Sequence, residues 1–325
     1  MTQGVPPPFR ERAPWWGGDL QTVRNLLTGS RRPLLPPGER LRFAMADGDR
    51  LTGTLHRPGD GGGRPLAVLV HGLAGSEDSV YVVATAGYLL SCGFPVLRLS
   101  LRGAGASRPL CRDGYHAGRS EDFAAVLEAL PAPLRQRGVV AVAYSLGGNM
   151  LLKYLGERAR EAGLAAAVTV SAPLDLAAAS RRFRAPRNAL YQRWLLGHMK
   201  REALAQGSDL DTRQRAAVAG AQSVYAFDDR HVAPRHGFAG ADDYYARCSA
   251  AGFLGGIAIP TLLLHADNDP WIDAAAYRDA AVAGHAALSI MLTNGGGHVG
   301  FHGPRAAAGG RWHDAMIAAF FAAEA

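Results

Sequence analysis

The chain is poor in cysteine and almost devoid of lysine. Its 325 residues include three cysteines, Cys92, Cys111 and Cys248. So sparse and odd a set, with no Cys-x-x-Cys pair, argues against a disulfide framework or a cysteine-held zinc and predicts reduced thiols. Cys92 lies in an apolar run and reads as a core filler. Lys153 and Lys200 are the only lysines, so arginine carries nearly all of the net charge of +7. The arginines are scattered. Their densest group, Arg181, Arg182, Arg184 and Arg187, comes with no nucleic-acid-reading motif, so no nucleic-acid partner is expected. It reads as a solvated basic surface, with attraction to anionic lipid or an acidic substrate as the second reading.

Long apolar runs are also missing. No window approaches ~20 apolar residues, so no membrane-spanning helix is expected, and only peripheral lipid contact stays open. Met1 to Arg12 has prolines and charges but no apolar stretch, which predicts no signal peptide and a cytoplasmic location. No pair of histidines has a His-Glu-x-x-His signature, and Arg102-Gly103-Ala104-Gly105 lacks the third glycine and strand-to-helix entry of a dinucleotide loop. That loop reads as structural, and no metal or cofactor is expected.

What is present is a globular pattern: 48% apolar residues and enough length for a sizeable core. Residues 1–38 form a proline-rich arm in which Asp19 is expected to cap a helix from Leu20 to Leu27, ended by Gly29, and Trp15-Trp16 to pack the arm on the body. Leu41 to His56, with Asp47-Gly48 between apolar alternations, reads as a β-hairpin. Gly59 to Gly63 is a loop. Strands at Pro65–His71, Phe94–Leu101, Val139–Tyr144, Leu164–Ser171, Ile259–His265 and Ala287–Thr293 then alternate with helices. The helices are expected at Ser79–Leu90, Glu121–Leu130 (with Ser120 as a cap), Leu146–Arg160 and near Ala274–Val282. A last one carries its apolar stripe on Trp312, Ala315, Met316, Ala319, Phe320 and Ala323. Alternation of this kind implies an α/β fold: a mostly parallel sheet with helices on both faces and an antiparallel hairpin at its edge. Residues 174–256 lack strand signals and read as a helical cap across the strand ends, where ligands bind, within one domain spanning 1–325.

The chemistry concentrates at Val139 to Asn149. An apolar strand turns into a helix at Ser145, with Ala143 and Gly147 two residues to either side. This is the spacing of a nucleophile elbow, which holds a serine hydroxyl above the sheet edge and aims the Leu146 N–H into the same space. A serine needs a base, and the base an orienting acid. In the order Ser, acid, His, the acid is expected just past the strand ending at His265. Asp269, followed by Pro270, is preferred there to Asp267. The base is expected after the last strand, where glycines surround His298. His302, His313, His231 and His236 fit no such role and read as solvent or packing residues. The second oxyanion donor is expected to be the Leu73 N–H, in the loop His71-Gly72-Leu73-Ala74-Gly75.

These motifs, with Gly18 to Thr22, Tyr115-His116-Ala117-Gly118, Glu121-Asp122, Phe227-Asp228-Asp229, Ala233-Pro234, Gly237-Phe238 and Asp243-Tyr244-Tyr245, resemble the α/β-hydrolase superfamily and, within it, the YheT-like hydrolases. The resemblance covers nearly the whole chain. It implies an α/β-hydrolase fold and a carboxylic-ester hydrolase with Ser145, Asp269 and His298 as its charge-relay residues. Two positions depart from the family pattern: Ala143 stands where glycine is usual, and Asp19 where histidine is usual. The expected reaction is acyl transfer from a small-molecule ester to water. The acyl group is uncharged, of short to medium length, and passes through an acyl-enzyme. An acyltransferase with an alcohol acceptor, and a non-catalytic binding protein on the same fold, are the alternatives. Thioester, lactone and amide substrates stay open, as does the oligomeric state.

Overall fold

The computed structural model describes residues 5–27, 34–59, 63–278, 284–304 and 310–325. Strands β1 (Glu39–Ala44) and β2 (Arg50–His56) form the antiparallel hairpin, turning through Gly48 at φ 89°. β3 (Leu66–Val70), β4 (Val96–Ser100), β5 (Val139–Tyr144), β6 (Ala166–Val170), β7 (Thr261–Ala266) and β8 (Leu288–Thr293) follow as six parallel strands. The eight strands lie in the order β1-β2-β4-β3-β5-β6-β7-β8, with β2 antiparallel to β4. Parallel strands buried on both faces need apolar residues at successive positions. In β3, Leu66, Val68 and Val70 enter one core, while Ala67 and Leu69 enter the core on the opposite face.

The helices divide accordingly. α1 (Gly18–Leu27) belongs to the arm. α2 (Val80–Ser91) packs on one face of the sheet, α3 (Ser120–Glu128) on the other, and the short α4 (Ala132–Arg135) leads into β5. α5 (Leu146–Arg158) starts at the elbow and shares the face of α3. The cap holds α6 (Leu176–Arg184), α7 (Ala189–Ala203), α8 (Thr212–Gly220), α9 (Val224–Phe227), α10 (Ala233–Arg235) and α11 (Ala241–Cys248), without a strand among the described residues. These elements bury a core of their own, with Phe183, Leu195, Met199, Phe227 and Tyr244 in it. The following 3-10 helix, Ala250–Gly256, instead buries Ala250 and Leu254 in the core of the body. α12 (Ala275–Arg278) is the described part of the helix expected near Ala274–Val282, and α13 (Trp312–Glu324) returns to the face of α2. Among the described residues no helix is long and apolar enough to cross a membrane.

Several local expectations need correction. α1 begins at Gly18, so Asp19 lies in its first turn and not at its cap; Gly29 is outside the described residues, as are residues 60–62 of the loop at Gly59. Ser120 is the first residue of α3, with Arg119 in the cap position. Trp16 is exposed and Trp15 only partly covered, so the tryptophan pair does not pin the arm. Phe9 does, edge-on to Trp312 at 5.4 Å, while the Trp312 indole donates to the Pro7 carbonyl at 2.7 Å. With the arm against Trp312 and Phe94 against Phe321, α13 is buried around Ile317 and Phe321, whereas Phe320 is partly covered and Ala323 exposed. A one-sided stripe cannot describe a helix covered from two directions.

The loop Arg102 to Gly105 is structural, as expected. Arg102 is 2% exposed and holds Asp122 through two hydrogen bonds of 2.8 and 2.6 Å, Asp49 at 2.6 Å and Asp47 at 2.7 Å. It ties the hairpin turn, the end of β4 and α3 together.

Candidate active site

Ser145 sits at the carboxyl end of β5, in the middle of the sheet, with φ 51° and ψ −123°. A non-glycine residue there carries local strain of about 1–3 kcal/mol, sustained only because its surroundings leave no alternative. The surroundings are tight. A Cβ on Gly147 would meet the His71 carbonyl at 2.3 Å, and one on Gly72 would meet the Ser145 Cβ at 2.9 Å. Ala143, by contrast, points into the core shared with α5, where its methyl group is fully buried. The elbow therefore needs glycine at Gly147 and accommodates alanine at Ala143.

The structure brings the three residues singled out in the sequence together. His298 Nε2 lies 2.9 Å from Ser145 Oγ, and His298 Nδ1 lies 2.8 Å from Asp269 Oδ2. Asp269 follows β7 and His298 follows β8, so all three sit beyond strand ends on one side of the sheet. The other oxygen of Asp269 accepts the Trp271 N–H at 2.7 Å and the Ile272 N–H at 3.0 Å. Burial pushes the pKa of Asp269 up, but His298 and these bonds outweigh it and hold the carboxyl below its usual range. Asp267 is instead part-exposed and paired with Arg278.

The loop His71 to Gly75, where the sequence places an oxyanion donor, is pinned by contacts the sequence did not assign. His71 is fully buried, donates from Nδ1 to the Gly72 carbonyl at 2.7 Å and accepts the Leu101 N–H on Nε2 at 3.0 Å. This fixes one neutral tautomer, and burial lowers its pKa to about 4. The Gly72 N–H goes to the Tyr81 hydroxyl at 2.9 Å and the Ala74 N–H to the Tyr115 hydroxyl at 2.6 Å. Between them stands the Leu73 amide. Leu146 opens α5, where first-turn N–H groups have no carbonyl within the helix. Leu73, Leu146, Ser145 and His298 line one cavity of about 400 Å³, within the range typical of small-molecule sites. Its other walls are mostly apolar: Leu176, Phe183, Leu195, Val224, Trp194 and Trp271.

Two further groups of contacts hold the loops that carry Asp269 and His298. The arm holds the histidine loop: Thr22 Oγ1 accepts the His298 N–H at 2.8 Å, and buried Gln21 exchanges two hydrogen bonds with the His302 backbone, at 2.6 and 3.1 Å. Glu11 reaches Asn268 at 3.0 Å, and Asn268 in turn accepts the Gly297 N–H at 2.9 Å. The cap holds the acid loop. Arg182 donates to the Asp269 and Pro270 carbonyls, both at 3.1 Å, and Asn188 donates to Pro270 at 2.9 Å. Arg187 and Tyr191 meet Asp19 at 2.9 and 3.0 Å, so the family-divergent aspartate joins arm to cap. The arginine group is thus more than a solvated surface. His302 and His313 are buried packing residues, and His231 and His236 lie part-buried inside the cap. Trp271, 4.3 Å from the His298 ring, was findable as the residue after Asp269-Pro270. Arg182 and Tyr81 carried no sequence signal for these contacts.

Comparison with known proteins agrees with this architecture. The family model described as alpha/beta hydrolase fold matches residues 65–302. The chain is 33% identical over 288 residues to the putative esterase YheT of Escherichia coli K12, covering 87% of this chain and 84% of that protein. It is 25% identical to human phospholipase ABHD3 over 296 residues, 88% of this chain and 71% of that one. Among solved structures, the Pyrococcus furiosus esterase Pf2001 superposes with a TM-score of 0.59 at 13% identity, over 100% of this chain and 98% of that one, a likeness of fold alone. The sheet order, the serine elbow and these similarities together place the chain in the α/β-hydrolase superfamily, as a member of its YheT-like hydrolase family.

Proposed function

We propose that the protein is a serine carboxylic-ester hydrolase for uncharged, short- to medium-chain acyl esters. The observation that carries the reading is the continuous path from Ser145 Oγ through His298 to Asp269, at 2.9 and 2.8 Å, opening on an apolar cavity. The relatives named as a putative esterase and a phospholipase fit cleavage of an ester bond.

With Asp269 accepting from Nδ1, the imidazole keeps Nε2 free to take the serine proton. Ser145 Oγ attacks the ester carbonyl as its proton moves to Nε2. The tetrahedral oxyanion forms toward the Leu73 and Leu146 N–H groups, and losing one such donor costs about 10²–10³ in rate. Nε2–H then protonates the departing alkoxide, leaving an acyl group on Ser145. Water repeats the sequence, giving up its proton to Nε2 and releasing the acid. Trp271, 4.3 Å from the His298 ring, and the mostly apolar cap walls surround the reacting groups.

The test is a series of p-nitrophenyl esters of increasing acyl length, with fluorophosphonate labelling. Ser145→Ala is expected to lower kcat by roughly 10⁶ and to abolish labelling. A Ser145→Ala variant that still turns over the esters would remove this mechanism. Failure of the wild-type serine to label would favour a binding protein on the same fold.

A further inference from the structure

Among the described residues, the large apolar side chains that stay exposed all belong to the arm or to α7. On α7 they are Leu190, 82% exposed, and Trp194, 41% exposed. The two stand four residues apart, so they share one side of the helix, with exposed Arg193 between them. The other side, with Leu195, Leu196 and Met199, is buried in the core of the cap. In the arm, Leu20 of α1 and Trp16 just before it are exposed as well. A monomer normally scatters such residues over its surface, and their confinement to two elements marks an interaction face.

These two elements meet beside the catalytic cavity. Asp19 of α1 holds Arg187 at 2.9 Å and Tyr191 of α7 at 3.0 Å. Thr22 and Asn25 of α1 and Trp194 of α7 line the cavity that contains Ser145 and His298. Trp194 thus joins the cavity wall to the Leu190 side of the helix.

The charge of this region has one sign. Between residues 181 and 201 the chain carries six arginines and one lysine and no carboxylate. Arg182 and Arg187 are matched by Asp273 and Asp19, and Arg181 lies 3.9 Å from Asp175. Arg193, Lys200 and Arg201 form no ion pair among the described residues. Arg193 and Lys200 also line a hollow along α7, with Gln192 and Gln222 and without a carboxylate.

Three occupants can be compared on this chemistry. A soluble anion would use the cations and leave Leu190 and Trp194 uncovered. A second copy docked face to face would set the same cations against each other. An anionic lipid surface meets both requirements. Its phosphates take the arginines and lysine, and its acyl boundary takes the leucine and tryptophan. We propose that the face formed by the arm and α7 docks on an anionic lipid surface, with the catalytic cavity opening beside the bilayer. Docking needs no chemistry at Ser145. Only the passage of an apolar ester from lipid into the cavity rests on the ester-hydrolase reading.

The experiment is co-sedimentation of the full chain with two kinds of vesicle. One is phosphatidylcholine alone, and the other is phosphatidylcholine and phosphatidylglycerol in equal parts. Binding is expected to the anionic vesicles only, and to be lost in about 0.5 M salt. Arg193→Glu should weaken it at least about five-fold, the contribution of one basic side chain near such a surface. Leu190→Asp should weaken it comparably. Neither residue lines the catalytic cavity, so both variants should hydrolyse soluble p-nitrophenyl acetate within about two-fold of the wild type, which also shows that they fold. No binding, equal binding to the neutral vesicles, or binding unchanged in both variants overturns the proposal. So does gel filtration showing a dimer that Leu190→Asp dissociates, which would give the face to a second copy. A wild type that hydrolyses nothing yet sediments with the anionic vesicles overturns the hydrolase reading and leaves the docking supported.

Discussion

The hydroxyl oxygen of Thr22, in the amino-terminal arm, accepts the backbone N–H of His298 at 2.8 Å across 276 residues of chain. The same hydroxyl donates to the Gly18 carbonyl at 2.6 Å, so its lone pair is aimed before the histidine loop arrives. A segment outside the sheet thereby sets where the imidazole hangs. Thr22→Val keeps the shape and leaves the His298 N–H without an acceptor, at a cost of about 1–3 kcal/mol. We expect kcat on a short-chain ester to fall at least ten-fold with KM little changed, and Thr22→Ser to restore it. A valine variant within two-fold of wild type would mean the loop holds its place without the arm.

Ala143 gives a prediction of the opposite kind. Its methyl group lies in the core and not against the elbow. Ala143→Gly, the substitution toward the family pattern, should leave kcat within about two-fold. It should lower stability by about 1–2 kcal/mol, from one lost buried methyl and a freer strand backbone. Thermal melting with parallel assays checks both. A large gain in kcat would show that alanine strains the serine after all.

Arg102 should matter for folding and not for chemistry. It is buried among Asp47, Asp49 and Asp122, which lose their common partner in Arg102→Met. Breaking a buried pair by removing one member costs about 3–5 kcal/mol. Urea unfolding is expected to show an unfolding free energy lower by that amount, with the midpoint reduced accordingly. A shift below 1 kcal/mol would mean the carboxylates find water or other partners.

Stability should fall on mild acidification. Burial lowers His71, His231, His236 and His313 to about 4 and His116 and His302 to about 2. As pH drops below 6.5 the unfolded chain binds protons that these folded histidines refuse, which favours unfolding by about 1.4 kcal/mol per pH unit for each group. Asp228 and Glu202, raised to about 7, act the other way, because below 7 the folded chain holds protons the unfolded chain releases. The histidines outnumber the acids, so the melting temperature should decline between pH 6.5 and 4. A melting temperature that rises over that interval would contradict these burials.

Much of this site is legible in the chain because its parts are local. The strand, the serine and the glycines that let the backbone turn are neighbours in sequence. So are each strand end and the acid or base that follows it. Asp269 could be ranked above Asp267 on the Pro270 beside it, and the structure places Asp267 outward with Arg278. The α13 stripe and the Trp15-Trp16 anchor were misjudged for one reason: each depended on what lay across from it. Periodicity records that a residue is apolar, not which distant surface covers it.

The amino-acid order by itself determined the sheet of alternating elements, the sharp turn at Ser145 and the placing of Asp269 and His298 just past strand ends, since backbone sterics and hydrophobic alternation act over a few residues. Only the tertiary structure decided that Thr22 and Gln21 hold the histidine loop and that Arg182 and Asn188 hold the acid loop. It alone set Leu73, Leu146, Asp228 and Tyr244 on the walls of two adjoining cavities. Those relations join residues tens to hundreds of positions apart, and they arise from packing and hydrogen-bond geometry that no local pattern encodes.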